Sequence, residues 1–133
     1  MFIAEARFPI VEGDILAAFR GELAWATLTV QLKRPETMPK RLVTLRDDSG
    51  PQAMSTALQR KGVSVWADTF VDSKNLALDV MAIARRLPLL VGPVKAAAEF
   101  VGPYEVEDDP GFTFGTSPLT HHYFAFAVTV KAT

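Results

Sequence analysis

There is no cysteine anywhere in the 133 residues. Disulfides, thiolate metal sites and thiol nucleophiles are therefore excluded, and the composition agrees with synthesis in a reducing cytoplasm. An excess of one charge is also missing: 14 Lys and Arg against 15 Asp and Glu leave a formal net charge of −1. That is too little to set up a global field drawing in nucleic acid, an anionic membrane or an acidic substrate. The longest apolar run, LPLLVGPV from Leu87 to Val94, contains Pro88 and Pro93 and falls far short of the roughly twenty residues that cross a bilayer. The opening MFIAEARFPIVEGD has no basic start followed by an apolar run, so no signal peptide is expected in it. Fixed-period repeats and Gly/Ser linkers are absent from the sequence as well. What remains is 49% hydrophobic and 22% charged residues with 8 Gly and 9 Pro, an ordinary globular composition. The length fits a single domain over residues 1–133, long enough to bury a core without staples.

Hydrophobic periodicity predicts the elements. With Asp14 as a cap, ILAAFRGELAW places Ile15, Ala18, Phe19 and Leu23 near one helical face, and Gly21 weakens the C-terminal half. ATLTVQLK alternates as a half-buried strand, RPETMPK is a proline-bearing loop, and RLVTLRD alternates again through Val43 and Leu45. These two strands are expected to pair antiparallel, with a turn at DDSGPQ. AMSTALQRK, residues 53–61, has no clear period and reads as loop or helical turn. VSVWADTF is apolar on both faces, Val63, Val65 and Ala67 against Trp66 and Phe70, as a central strand would be. Ser73 is the expected cap of the main helix, in which Leu76, Val80, Ile83 and Leu87 recur at helical spacing until Pro88 ends or kinks it. A strand from Val94, interrupted at Gly102 and Pro103, continues through YEVED to the turn-rich DDPGFTFGTSP. The chain closes on HYFAFAVTVK, with Phe124, Phe126, Val128 and Val130 opposite Tyr123, Ala125, Ala127 and Thr129. Connections poor in helix predict an α+β fold: a mixed, largely antiparallel sheet with one main helix and a shorter N-terminal helix packed against it.

Residues able to do chemistry are few. The loop after a strand is where ligands sit in open α/β sheets, and Asp68, Asp72 and Asp79 flank such a loop. They lack the register of a cation loop, so cap, first-turn and solvent roles are the expectation. Glu105, Glu107, Asp108 and Asp109 read as a solvated strand edge and turn. His121 and His122, the only histidines, are neighbours on a strand; they point to opposite faces and cannot chelate one metal together. No serine sits in a G-x-S-x-G elbow, and no phosphate-binding glycine loop is present. Lys33, Arg34, Lys40, Arg41 and Arg46 crowd the first two strands without nearby aromatics, which leaves a solvated rim rather than a stacking platform. Trp25 and Trp66 read as core anchors. No catalytic, metal or cofactor site is expected.

The run GVSVWADTF, the alanine- and leucine-rich helix after it, GPYEVEDDPG and the closing HHYFAFAVTVKAT together resemble the tail terminator proteins of long-tailed, siphovirus-type phages of actinobacteria. So do the paired strands of TLTVQLKRPETMPKRLVTLRDD, and the resemblance covers nearly the whole chain from the first helix onward. It implies a structural, non-enzymatic virion protein at the head–tail junction, assembled in the host cytoplasm. Such a protein forms a homo-hexameric ring on the head-proximal end of the tail tube and stops its polymerisation. The tail tube protein lies on one face and the head completion (stopper) protein on the other, while DNA passes through the lumen without sequence-specific binding. No membrane is involved. A closed ring of this kind needs two different complementary patches per subunit.

Long loops are where those patches are expected: RPETMPK, DDSGPQAMSTALQRK and EDDPGFTFGTSP. They supply Arg34, Glu36, Lys40, Arg41, Arg46, Asp47, Asp48, Asp108, Asp109, Phe112 and Phe114 as candidate assembly residues, basic around Arg34 to Arg41 and acidic around Asp108. Glu36, Glu105 and Glu107 are candidates for the lumen. Two other readings compete: another neck component such as the head completion or connector protein, and a small ligand-binding or enzymatic α+β domain using Asp68 and Asp72.

Overall fold

The computed structural model describes residues 9–49 and 57–132. Its order is α1 (Glu12–Glu22), β1 (Leu28–Gln31), β2 (Arg41–Asp47), β3 (Leu58–Ala67), α2 (Phe70–Arg85), α3 (Leu87–Leu90), β4 (Val94–Val106), β5 (Thr113–Phe114), β6 (Ser117–Pro118) and β7 (Thr120–Val130). Five strands form one mixed sheet in the order β1-β2-β3-β7-β4, and β5 pairs with β6 in a small hairpin. The fold is α+β, with α2 as the main helix and α1 as the shorter N-terminal one.

β1 and β2 are parallel, Leu28 opposite Arg41 and Gln31 opposite Thr44, which corrects the antiparallel pairing expected from their proximity. Residues 32–40 carry Pro35 and Pro39 and make no tight hairpin; they return the chain to the end where β1 began. Met38 anchors that crossover by burying against Leu42 and Trp66. The outer edge of β1 is closed by Arg20 of α1, whose Nε and Nη2 donate to the Val30 carbonyl at 3.0 and 2.6 Å. Residues 58–61, expected to be irregular, open β3, which lies at the centre of the sheet between β2 and β7.

Both helices start earlier than expected. α1 follows Val11 with no side-chain cap, so Asp14 is a first-turn acid rather than the cap. α2 is capped by Thr69, whose hydroxyl accepts from the Asp72 amide at 3.1 Å. Ser73 instead lies inside the first turn, fully buried. The reason is that β3 stops at Ala67 and Thr69 already holds the extended backbone of a cap. Leu76, Val80 and Ile83 turn inward as their spacing predicts, together with Ala77, Met81 and Ala84. α2 ends at Arg85, and Pro88 sits in the first turn of α3, where a missing N–H is harmless.

The helices cover one face of the sheet. Val43 and Leu45 of β2, Val63 and Val65 of β3, and Phe124, Phe126 and Val128 of β7 form the main core with Ile15, Phe19, Leu76 and Val80. Lys61, fully buried on this same face, is neutralised by Glu12 at 2.5 Å and Asp47 at 3.4 Å, which pins the start of α1 to β2 and β3. β4 bends around the far edge through register shifts near Ala96, Val101 and Tyr104. Gly102 makes one of these bends possible. Its φ is +98°, and a side chain there would press on the Tyr123 carbonyl, 2.8 Å from the Cβ position.

Candidate functional site

Among the described residues no helix covers the other face of the sheet. Period-2 alternation puts Leu42, Thr44 and Arg46 of β2, Gly62, Ser64 and Trp66 of β3, and His121, Tyr123 and Ala125 of β7 on it, in register across the strands. Val101 and Tyr104 of β4 extend the row opposite Ala125 and Tyr123. Two side-chain networks shape this surface.

The first is a clasp at the Trp66 end. Asp108 accepts from Trp66 Nε1 at 2.9 Å through one carboxylate oxygen and from His121 Nδ1 at 3.0 Å through the other. An ionised carboxylate only accepts, so Nδ1 carries the histidine proton, and Nε2 is left buried without a partner. The rings of His121 and Trp66 stack at 4.2 Å, and Phe112 meets Trp66 edge-on at 6.3 Å. Met38, Leu42 and Trp66, with Phe112 and Leu119 packed against them, make a second small core. Burial holds the His121 pKa below its ordinary value; the Asp108 hydrogen bond and charge oppose this, and Arg46 adds to it.

The second network lies over Gly62. Tyr123 donates its hydroxyl to Asp48 Oδ2 at 2.7 Å, and Arg46 donates Nε to Asp48 Oδ1 at 2.6 Å while its guanidinium stands 5.4 Å from the Tyr123 ring. A Cβ at position 62 would collide with both the Tyr123 hydroxyl and the Asp48 carboxylate, so a glycine lets them meet. Burial first, then the bond to Asp48, raises the Tyr123 phenol above its usual pKa. The bond to Asp48 likewise raises that of Arg46. Tyr104 tilts against Tyr123 at 5.6 Å, and both Tyr104 and Val101 are about half exposed.

The candidate assembly residues divide between these networks and the rim. Arg34 lies 3.9 Å over the Phe112 ring, so the basic loop 32–40 and the acidic segment 107–119 meet on one chain instead of standing apart. Glu36, Asp109 and Phe114 are exposed on those two segments. Lys40 pairs with Asp68 at 3.7 Å; Arg41 reaches Asp72 at 3.4 Å, donates to the Ala26 carbonyl at 2.8 Å and lies 5.5 Å from the Trp25 ring. The expectation that the basic cluster lacks aromatics is thereby corrected: Arg34, Arg41 and Arg46 each lie against a ring supplied from elsewhere in the chain. Asp47 faces the helices, taking the Ser49 amide at 2.9 Å and Lys61. Burial alone would raise its pKa, but Ser49 and Lys61 outweigh this and lower it. Residues 50–56 of the middle loop lie outside the described residues.

The residues of an enzymatic reading are held separately. Asp68, Asp72 and Asp79 serve Lys40, Arg41 and Trp25 Nε1 respectively, the last at 2.8 Å. Among the described residues no group of three or more His, Asp or Glu is placed to hold a metal ion. Ser73 Oγ lies 2.8 Å from His122 Nδ1, on the helix face, whereas Asp108 holds His121 on the other face. The serine and the aspartate thus engage different histidines across the sheet, and no relay joins them. Ser73 is fully buried and unable to meet a substrate. Burial lowers the His122 pKa too; Glu105 opposes this, while Lys74 and His121 add to it.

Trp66, His121, Tyr123, Tyr104 and Val101 were not among the candidate assembly residues. The signal for them was the alternation of β7, which sets Tyr123, Ala125 and Ala127 opposite the core phenylalanines. Among the described residues no helix is long and apolar enough to cross a membrane. No protein-family model and no curated protein matches the chain.

Proposed function

We propose that this chain is a structural virion subunit, a tail terminator. It closes as a homo-hexameric ring on the head-proximal end of a long-tailed phage tail tube, ends tube polymerisation and receives the head completion protein, with DNA threading the lumen. The observation that carries the reading is the helix-free sheet face. It exposes Val101, Tyr104 and Arg46 and is bordered by loops 32–40 and 107–119. Exposed aromatic and arginine side chains are what protein interfaces enrich, whereas small-molecule sites gather converging polar groups. The resemblance of the sequence to tail terminators over nearly its whole length supplies the identity of the assembly. The acids and histidines that a catalytic reading would use hold one another or the backbone in place, which further favours an assembly role over an enzymatic one.

Purified protein added to tail tubes that lack a terminator, and separately to tailless heads, tests this in negative-stain images. A ring at one end of each tube, with growth halted there, is the expected result. Tubes that stay bare and keep growing would refute it, and rings found on the portal side of heads would move the chain to a head-side neck role.

A further inference from the structure

Residues 107–119 cross one end of the helix-free face and are mostly exposed. Three things hold them down. The β5–β6 hairpin and the Leu119 amide, which donates to the Phe112 carbonyl at 2.8 Å, fix their own shape. Phe112 and Leu119 pack on Met38, Leu42 and Trp66, and Arg34 lies over the Phe112 ring. The Asp108 carboxylate, bound to Trp66 and His121, is the polar tie to the sheet. A segment with so few buried contacts belongs to the low-stability end of a fold and opens without global unfolding.

The tie depends on a neutral imidazole. Nδ1–H is already given to Asp108, so an added proton must go to Nε2, which is buried with no acceptor. A charged N–H in that position loses its solvation and gains no hydrogen bond. The charged and titratable groups around it do not remove the conflict. Asp108 on the segment favours its charge and Arg46 on β2 opposes it, while Glu107 on the segment and Glu105 on β4 line the hollow beside His121 and the adjacent His122 turns to the other face of the sheet. Once the segment lifts, the imidazole reaches water and protonates freely.

We infer that residues 107–119 are a proton-released strap: neutral His121 clasps it shut through Asp108, and protonation of His121 frees it, uncovering the apolar patch of Met38, Leu42 and Trp66. The inference goes beyond the terminator reading and stands without it, because it concerns the isolated chain. Between the ordinary histidine pKa and that of the clasped ring, the open-to-closed ratio rises by up to about tenfold per unit fall in pH.

Amide hydrogen exchange on the full chain, corrected for the intrinsic pH dependence, reads this between about pH 7.5 and about pH 5.5, the window in which histidine titrates. Exchange of residues 113–119 is expected to accelerate severalfold at the lower pH, while amides of β3 and of β7 beyond His122 keep their protection. His121→Gln, whose carboxamide still donates to Asp108 but takes no proton, is expected to abolish the response; His122→Gln is expected to retain it. Asp108→Ala leaves Trp66 Nε1 and His121 Nδ1 without their acceptor; it is expected to free the strap already at neutral pH, and it serves should the His121 variant fail to fold. A strap whose exchange ignores pH, a response that survives His121→Gln, or an Asp108→Ala chain with the strap still protected would each overturn the inference.

Discussion

The two faces of the sheet are built by different physics, and they part at neighbouring residues. His122 turns toward α2 and is locked by Ser73 within a large apolar core; His121 turns the other way and is locked by Asp108 and Trp66 beneath a strap. On the helix side, apolar burial dominates and a buried cation, Lys61, is matched by two carboxylates. On the other side, among the described residues, Met38, Leu42 and Trp66 form a small buried apolar cluster, and further order comes from hydrogen bonds and ring contacts. Non-directional burial makes the first face a scaffold. Directional, reversible contacts leave the second open to change when a partner or a proton arrives.

Substitutions that strike one face and spare the other would sharpen or break this contrast. The largest effect is expected from Phe124→Ala on the helix side, because Phe124 is fully buried against Phe126. It should cost about 3–5 kcal/mol in chemical denaturation and loosen the whole chain. Trp66→Phe keeps an aromatic ring but removes the donor to Asp108. A loss of about 2 kcal/mol is expected, with exchange rising in residues 107–119 and little elsewhere. If this change melted the core as Phe124→Ala does, the two faces would not be separable. Gly62→Ala is expected to cost about 1–2 kcal/mol, since the new methyl meets the Tyr123 hydroxyl and the Asp48 carboxylate and parts their hydrogen bond. It should bring the Tyr123 phenol down toward an ordinary pKa of about 10 in an ultraviolet titration, because the bond to Asp48 is what the new methyl displaces. Arg60→Ala deletes an ion pair with Glu99 in which both side chains are more than half exposed. Its effect should stay within about 0.5 kcal/mol of zero, and a larger one would mean that the pair does more than an exposed ion pair can.

Local pattern carried the fold a long way. β2 occupies the RLVTLRD segment as read, the alternation of β7 sorts its two faces correctly, and the helical spacing of Leu76, Val80 and Ile83 finds the buried side of α2. Legibility ends where partners are distant in sequence. The direction of β1 against β2 is decided by how the crossover buries Met38, and nothing in the alternation of either strand encodes it. Ser73 and Thr69 are both good cap residues, and the end of β3 chooses between them. The clasp joins Trp66, Asp108 and His121 through a bend in β4, so no spacing announces it. The rings beneath Arg34, Arg41 and Arg46 likewise come from other elements, which is why the basic cluster reads as bare in the sequence.

The proposed role, ending tail growth and joining tail to head, is tested by electron microscopy of lysates from a phage deleted for the gene. Tails of uncontrolled length without heads are expected, because the tube would have lost only its stop signal. Intact virions with tails of normal length would contradict it.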